Sequence, residues 1–455
     1  MIMRLGLDFQ NLRGQCFDGA ANMSIRLNGV QKKLTEVQQK AVYVHCSNHA
    51  LDLVLQEVGR GCELIRDALA IVKDVSGIIM ESAKRPKAYK NVVISPGHES
   101  EEGTIASGKV SKLLPLWCTR WVVRVKAMMR FVENYERVQL TLIDILNDKG
   151  YPRDDKKAAI HGFLKKMHKF ETVFGLNCAI TIFGSCEELA TSLQKPDTSV
   201  GGALRATEVL EAHLTRQRKE SGFQEVYERT EGAAKKHKLK APSNMTTRCG
   251  PPRRFEHSSE PCQPAFLDAE TGLRKQFYEA LDCVGAELAR RFKQPDMQSL
   301  AQLEQIILCA IQEKPQTAEE LERKLGSHAT DFHLESLSRQ LNMVHSLSSG
   351  QIGSVPELCR ALGRRVPEVK RMMTEVMRLA ALIMTVPASA ASAERSFSAL
   401  RRIKNYLRAT VSQKRLTEVM LLNVNIERAA KLDLNSIIRE FVSRTAERQT
   451  FFGHQ

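Results

Sequence analysis

The tightest constraint on the fold sits near the start of the chain. Leu12–Phe17 is a short mixed run ending on Asp18, and residues 41–46 read "AVYVHC", β-branched and aromatic. Between them, within Met23–Gln39, Leu27, Val30, Leu34 and Val37 recur at three- and four-residue steps, which places them on one face of a helix. Strand, single crossover helix, strand predicts a parallel, right-handed βαβ unit. The turn after the first strand, in "QCFDGAANMS" (residues 15–24), puts a carboxylate where the strand ends.

Beyond Asn48 the periodicity is helical. His49–Arg60, Leu64–Ser82, Trp121–Asn147, Lys156–Gln194, Gly201–Lys240 and Leu267–Arg448 carry apolar stripes, the last interrupted near Gly350–Val355. Two stretches break the pattern. Residues 95–111 form a polar Gly/Ser loop, and residues 241–266, with five prolines, read as a disordered Pro-rich loop or linker. Val386-Pro387 suits a helix start, because proline fits the first turn. The expected fold class is mainly α with a small parallel β element.

The 455 residues are enough for two to four domain-sized units. No run of about 18 consecutive apolar residues occurs, so no membrane-spanning helix is expected. Eleven cysteines at scattered spacings read as reduced thiols in an intracellular protein. The net charge of +15 suits a polyanion partner. The basic run "KKHKLK", Lys235–Lys240, reads either as a nuclear-import signal or as a solvated face. No Walker-type phosphate loop and no Ser-His-Asp arrangement is present. Cys46 and His49 form a C-x-x-H with no nearby second pair to complete a zinc site.

Residues 387–425 read "PASAASAERSFSALRRIKNYLRATVSQKRLTEVMLLNVN". This stretch resembles the C-terminal dimerisation region of hAT-family transposases. "GQCFDGAANMS", "NGVQKKL" and "AVYVHCSNHALDLVL" resemble part of that family's RNase H-like domain, in particular its copies linked to MYM- and TTF-type zinc-finger proteins. "TRWVVR", residues 119–124, resembles its Arg-Trp motif.

The resemblance implies a partial RNase H-like fold interrupted by a large helical insertion. Residues 1–83 would be the C-terminal part of its first segment, 84–370 the insertion, and 371–446 the final helices with the dimerisation region. Active relatives cut DNA with two divalent metals held by three acids. Carboxylate oxygens suit Mg²⁺ or Mn²⁺, and a metal pair activates the nucleophile and steadies the leaving oxygen. Asp18 and Glu394 match the second and third acids and are the candidate catalytic and metal residues. The first acid, with three strands and the family's zinc finger, would lie before Met1.

The expectation is therefore a truncated, self-associating protein that does not cleave DNA and holds no cofactor. The alternative is an active transposase or nuclease whose first acid lies upstream, using Mg²⁺ or Mn²⁺. Arg120 and Trp121 are the candidate DNA contacts. Cys46 and His49 are candidate structural residues beside the strand. Phe397, Leu416, Met420, Leu421 and Leu422 are candidate dimer contacts, because so broad an apolar helix needs a partner surface. The expected partners are a second copy and DNA, with no membrane, and the expected location is the nucleus, reached through Lys235–Lys240, or otherwise the cytoplasm.

Overall fold

The structure is a computed structural model that describes residues 6–24, 29–81, 84–92, 112–116, 122–148, 154–195, 197–243, 245–247, 265–348, 352–405 and 410–453. Two compact units make up the chain, residues 1–389 and 390–455.

The first unit opens with β1 (Gly14–Phe17) and β2 (Val42–His45), paired in parallel with Gly14 opposite Val42 and Phe17 opposite His45. A helical turn at Ala21–Ser24 and the helix α1 (Val30–Val37) lie between them, where a single helix was expected; Leu27 lies outside the described residues, and Val30 and Val37 are exposed on α1. Gln15 is buried under this crossover. Its amide donates to Thr35 Oγ1 at 2.9 Å and to the Ala41 carbonyl at 3.2 Å, which ties strand, helix and second strand together.

Helices follow. α2 (Ser47–Gly61) buries Ala50, Leu51, Val54, Leu55 and Val58, and α3 (Glu63–Met80) buries Ile65, Ala68, Ile71, Val72, Val75 and Ile79, each set at helical steps. At the centre runs α4 (Phe170–Leu193), packed by α3, by the helix Val122–Glu133, by α5 (Val200–Gln217) and by α6 (Glu220–His237). Neighbours on several sides explain why α4 is apolar nearly all round. By length and composition alone it could cross a membrane, but 67% of its apolar window is buried among these neighbours, as in a core helix. At Gly175 a β-carbon would stand 2.7 Å from the Leu64 carbonyl oxygen, so glycine is what lets α3 and α4 approach. Rings of Phe174, Phe223 and Phe277 line the next layer, 6.0 and 6.4 Å apart in sequence of contact.

Two polar clusters fix this unit. α7 (Ala269–Phe292) packs on α2, and α8 (Pro295–Ile311) packs on α5. On α8, Glu304 is only 1% exposed. It accepts from Ser199 Oγ at 2.8 Å and from Arg205 at 2.6 Å, and Gly201 leaves the space its carboxylate occupies.

The second cluster holds the β element. Asp331, at the end of a short 3₁₀ segment (Gly326–Asp331), takes Arg13 in a bidentate pair at 2.8 and 3.1 Å and Lys40 at 2.7 Å. Burial pushes its carboxyl up, but Arg13 and Lys40 outweigh that and hold it below the ordinary range. His328 beside it is buried with neither ring nitrogen hydrogen-bonded. Burial holds its pKa below the ordinary 6.5. Asp331→Ala leaves two cations facing each other without their carboxylate. A fully buried pair broken this way loses about 3–5 kcal/mol; partial exposure here lowers the expected loss to about 2 kcal/mol. Urea denaturation measures it, and an unchanged midpoint would show the clamp to be inert.

Two expectations change. The Pro-rich stretch 241–266 is not wholly irregular: β3 (Met245–Thr247) and β4 (Ala265–Leu267) pair antiparallel near its ends, while residues 248–264 lie outside the described residues, as does the loop 95–111. Val386-Pro387 does not open a helix. Val386 caps the end of α9 (Thr374–Thr385), and the next helix begins at Ala391. The reason is packing: Val386 is buried against the spot a Gly14 side chain would fill, and the Ala388 carbonyl accepts from Ser47 N at 2.9 Å, so the segment is tied to the β element.

The second unit begins with α10 (Ala391–Ile403), packed against α11 (Gln413–Val424). α12 (Leu434–Ser443) and α13 (Ala446–Phe452) pair through Phe441 and Phe452, whose ring centroids are 6.1 Å apart.

Candidate functional site

The strand end predicted to carry chemistry is built from β1, β2 and the start of α2. Asp18 leaves β1 exposed, and its Oδ1 accepts from Ala20 N at 3.3 Å. That is an Asx turn, the ordinary work of an aspartate before a short helical segment. Across from it, β2 ends on His45 and α2 begins with Cys46 as its N-cap. Cys46 is fully buried, and its N–H donates to the Phe17 carbonyl at 2.9 Å, extending the strand pairing by one bond. Its carbonyl accepts from Ala50 N at 2.8 Å and starts the helix.

His49 lies one turn into α2 and meets His45, with ring centroids 5.7 Å apart and edges facing. Both Nε2 atoms turn towards Gly19, 3.2 and 3.6 Å from where a β-carbon would stand. The His45 Nε2 is buried without a hydrogen-bond partner. Burial lowers the His45 pKa, and His49 and Arg291 lower it further against the opposing charge of Asp18. At ordinary pH this ring is therefore neutral. Burial, with Cys16 and Asp18 adding to it, pushes the neighbouring Tyr43 hydroxyl up to about 12.

A two-metal centre needs several carboxylates converging within a few ångström. Among the described residues no group of three or more His, Cys, Asp or Glu side chains is placed to hold a metal ion. The side chains around Asp18 therefore do not fit such a centre. Glu394 stands exposed in the first turn of α10, in the second unit. Arg120 and Trp121 lie outside the described residues, immediately before the helix Val122–Glu133.

The apolar surface of the second unit is more pronounced. Phe397 is 67% exposed, Leu421 64% and Leu422 54%, and Val424 and Ile426 continue the row. Met420 is half-buried. Leu416 is buried, since it sits on the inner face of α11 towards α10, and so is not available to a partner. Further along, Leu434, Ile437, Ile438 and Phe441 form an exposed stripe on α12.

Several features escaped the sequence reading. His45 was read only as part of a strand, although its position beside a C-x-x-H could have flagged it. The Asp331 clamp gave no signal, because its partners are 318 and 291 positions away. Residues 371–427, which include the row Phe397 to Ile426, match the family model of the hAT family C-terminal dimerisation region.

Proposed function

We propose that this chain is a transposase-derived protein that self-associates through its C-terminal region and binds duplex DNA without cutting it. The exposed row Phe397, Leu421, Leu422, Val424 and Ile426, inside a region that matches a dimerisation family, carries the first part. Large apolar side chains clustered at a surface are costly to leave in water, and a second copy offers the same surface in return. Light scattering on the full chain tests it: the expected mass at micromolar concentration is twice 51.1 kDa. A monomer across the whole concentration range would sink the reading.

The net charge of +15 supports DNA as a partner, with the nucleus as the place of action. The parallel βαβ unit with a carboxylate at a strand end supports descent from an RNase H-like domain, with 84–370 as its helical insertion. Catalysis is not part of the reading: Asp18 is engaged in its own turn, and among the described residues no group of three or more His, Cys, Asp or Glu is placed to hold a metal ion. Purified protein given Mg²⁺ or Mn²⁺ and a duplex carrying terminal repeats is expected to leave both strands intact. Asp18→Ala and Glu394→Ala are expected to change nothing. Nicking that disappears in Asp18→Ala would favour an active transposase instead.

A further inference from the structure

Two lysine-rich segments, far apart in sequence, meet on the first unit. The helix Asp154–Met167 ends with Lys165 and Lys166, and the chain continues through His168 to Lys169. α6 ends with Lys235, Lys236 and His237, and continues through Lys238 to Lys240. Lys169 and Lys240 pair in a parallel bridge, with Lys240 N donating to the His168 carbonyl at 2.8 Å. Lys238 takes a left-handed conformation, φ 51°, which turns the chain out of α6 towards that bridge. Seven exposed lysines thus come together: Lys165, Lys166, Lys169, Lys235, Lys236, Lys238 and Lys240.

Among the described residues, the lysines in ion pairs are Lys32, Lys40, Lys275 and Lys293, and none of these seven is among them. The nearby carboxylates offset part of the field, and seven lysines against two leave it positive. Glu171 is engaged by the Ser243 N–H and hydroxyl at 3.0 and 2.8 Å, and Glu136 acts on His237. Cations at helix C-termini are favoured by the helix dipole. That accounts for Lys165, Lys166, Lys235 and Lys236, but not for Lys169, Lys238 and Lys240, which lie outside the helices.

We propose that this composite lysine field is where the phosphate backbone of a nucleic-acid duplex sits. The assignment rests on the DNA-binding reading above and gives it an address. An import receptor that reads Lys235–Lys240 fits less well. Peptide readers of that kind take an extended segment, whereas Lys235 and Lys236 are held in a helix and Lys240 in a bridge. Nor would such a reader need the second segment, which supplies three of the seven charges.

The test is anisotropy of a labelled mixed-sequence duplex, titrated with salt, using the full chain. Six phosphate contacts give a salt slope of about −5 and a loss of about 10³ in affinity between 50 and 200 mM. Lys165→Ala with Lys166→Ala and Lys169→Ala is one variant. Lys235→Ala with Lys236→Ala and Lys240→Ala is the other, leaving Lys238 untouched because of its backbone. Each is expected to weaken binding at least tenfold at about 100 mM salt and to flatten the slope by about 3. Arginine at the same six positions is expected to keep the slope, which separates lost charge from lost folding.

The control removes three charges elsewhere, at Lys195, Arg216 and Lys219. Lys195 follows the far end of α4, about 36 Å from Lys169, and Lys219 precedes the far end of α6, about 27 Å from its lysines. It is expected to bind nearly as the unmutated chain does. Equal weakening by all three variants, or none by the lysine variants, overturns the address while leaving DNA binding itself in place. Unchanged duplex binding with lost nuclear accumulation of a fluorescent fusion overturns it in favour of an import surface. An unmutated chain that does not bind duplex overturns both the address and the reading beneath it.

Discussion

Leu421→Asp with Leu422→Asp is expected to leave the full chain monomeric at micromolar concentration, where the unmutated chain is expected to pair. Both side chains are more than half exposed on α11, and neither contributes to the small buried set of its own unit, so folding should survive. In a pair, each copy would have to bury two carboxylates against apolar surface, and two symmetry-related sites double that cost. A loss of about 3 kcal/mol would weaken pairing more than 100-fold. Sedimentation velocity with the double variant checks this, and circular dichroism confirms that the helices remain. Leu416→Asp makes the contrast: that side chain is buried between α10 and α11, so its substitution should unfold the second unit and not merely separate two copies. A double variant that still pairs would move the interface elsewhere on the chain.

The second large effect is expected inside the helical body. Arg205→Ala removes the cation from Glu304, whose carboxylate is 1% exposed, and leaves only the Ser199 hydroxyl as partner. Buried charges stripped of their partner cost about 3–5 kcal/mol. Arg205 is itself 46% exposed, so water can reach the vacated space, and about 3 kcal/mol is the better expectation. Adding Glu304→Gln to Arg205→Ala removes the stranded charge and is expected to recover part of the loss. Chemical denaturation of the three proteins measures it. An Arg205→Ala chain within about 0.5 kcal/mol of the original would show that the pair contributes little.

What the sequence made legible was local. The βαβ unit and the apolar stripes of α2 and α3 follow from spacings of a few residues, and the structure keeps both. The exposed apolar row was legible for the same reason at Phe397, Leu421 and Leu422. Leu416 was misjudged because an apolar helix with two faces looks uniform until its neighbour is known. Val386-Pro387 failed because proline suits the position after a helix as well as its first turn, and only the contact with Gly14 decides between them. Asp18 kept its place at the strand end. Which side chains stand around it depends on contacts between distant segments, and spacing carries no record of those. The lysine field divides in the same way: the run Lys235–Lys240 was visible, but its meeting with Lys165–Lys169 through Lys169 and Lys240 was not.

The Asp331 clamp bears on how the protein is made. Arg13 leaves the ribosome 318 positions ahead of its carboxylate. At about 5–20 residues per second, that interval is about 15–60 s. Among the described residues β1 and β2 form a two-stranded sheet, and through that interval its strand edges stand without the clamp, where open edges invite pairing with other chains. Neither the clamp nor the segment at Val386–Ala388 has yet been synthesised. The yield of correctly folded chain is then set less by final stability than by what shields the nascent β pair during those tens of seconds, and slower translation lengthens the exposure in proportion.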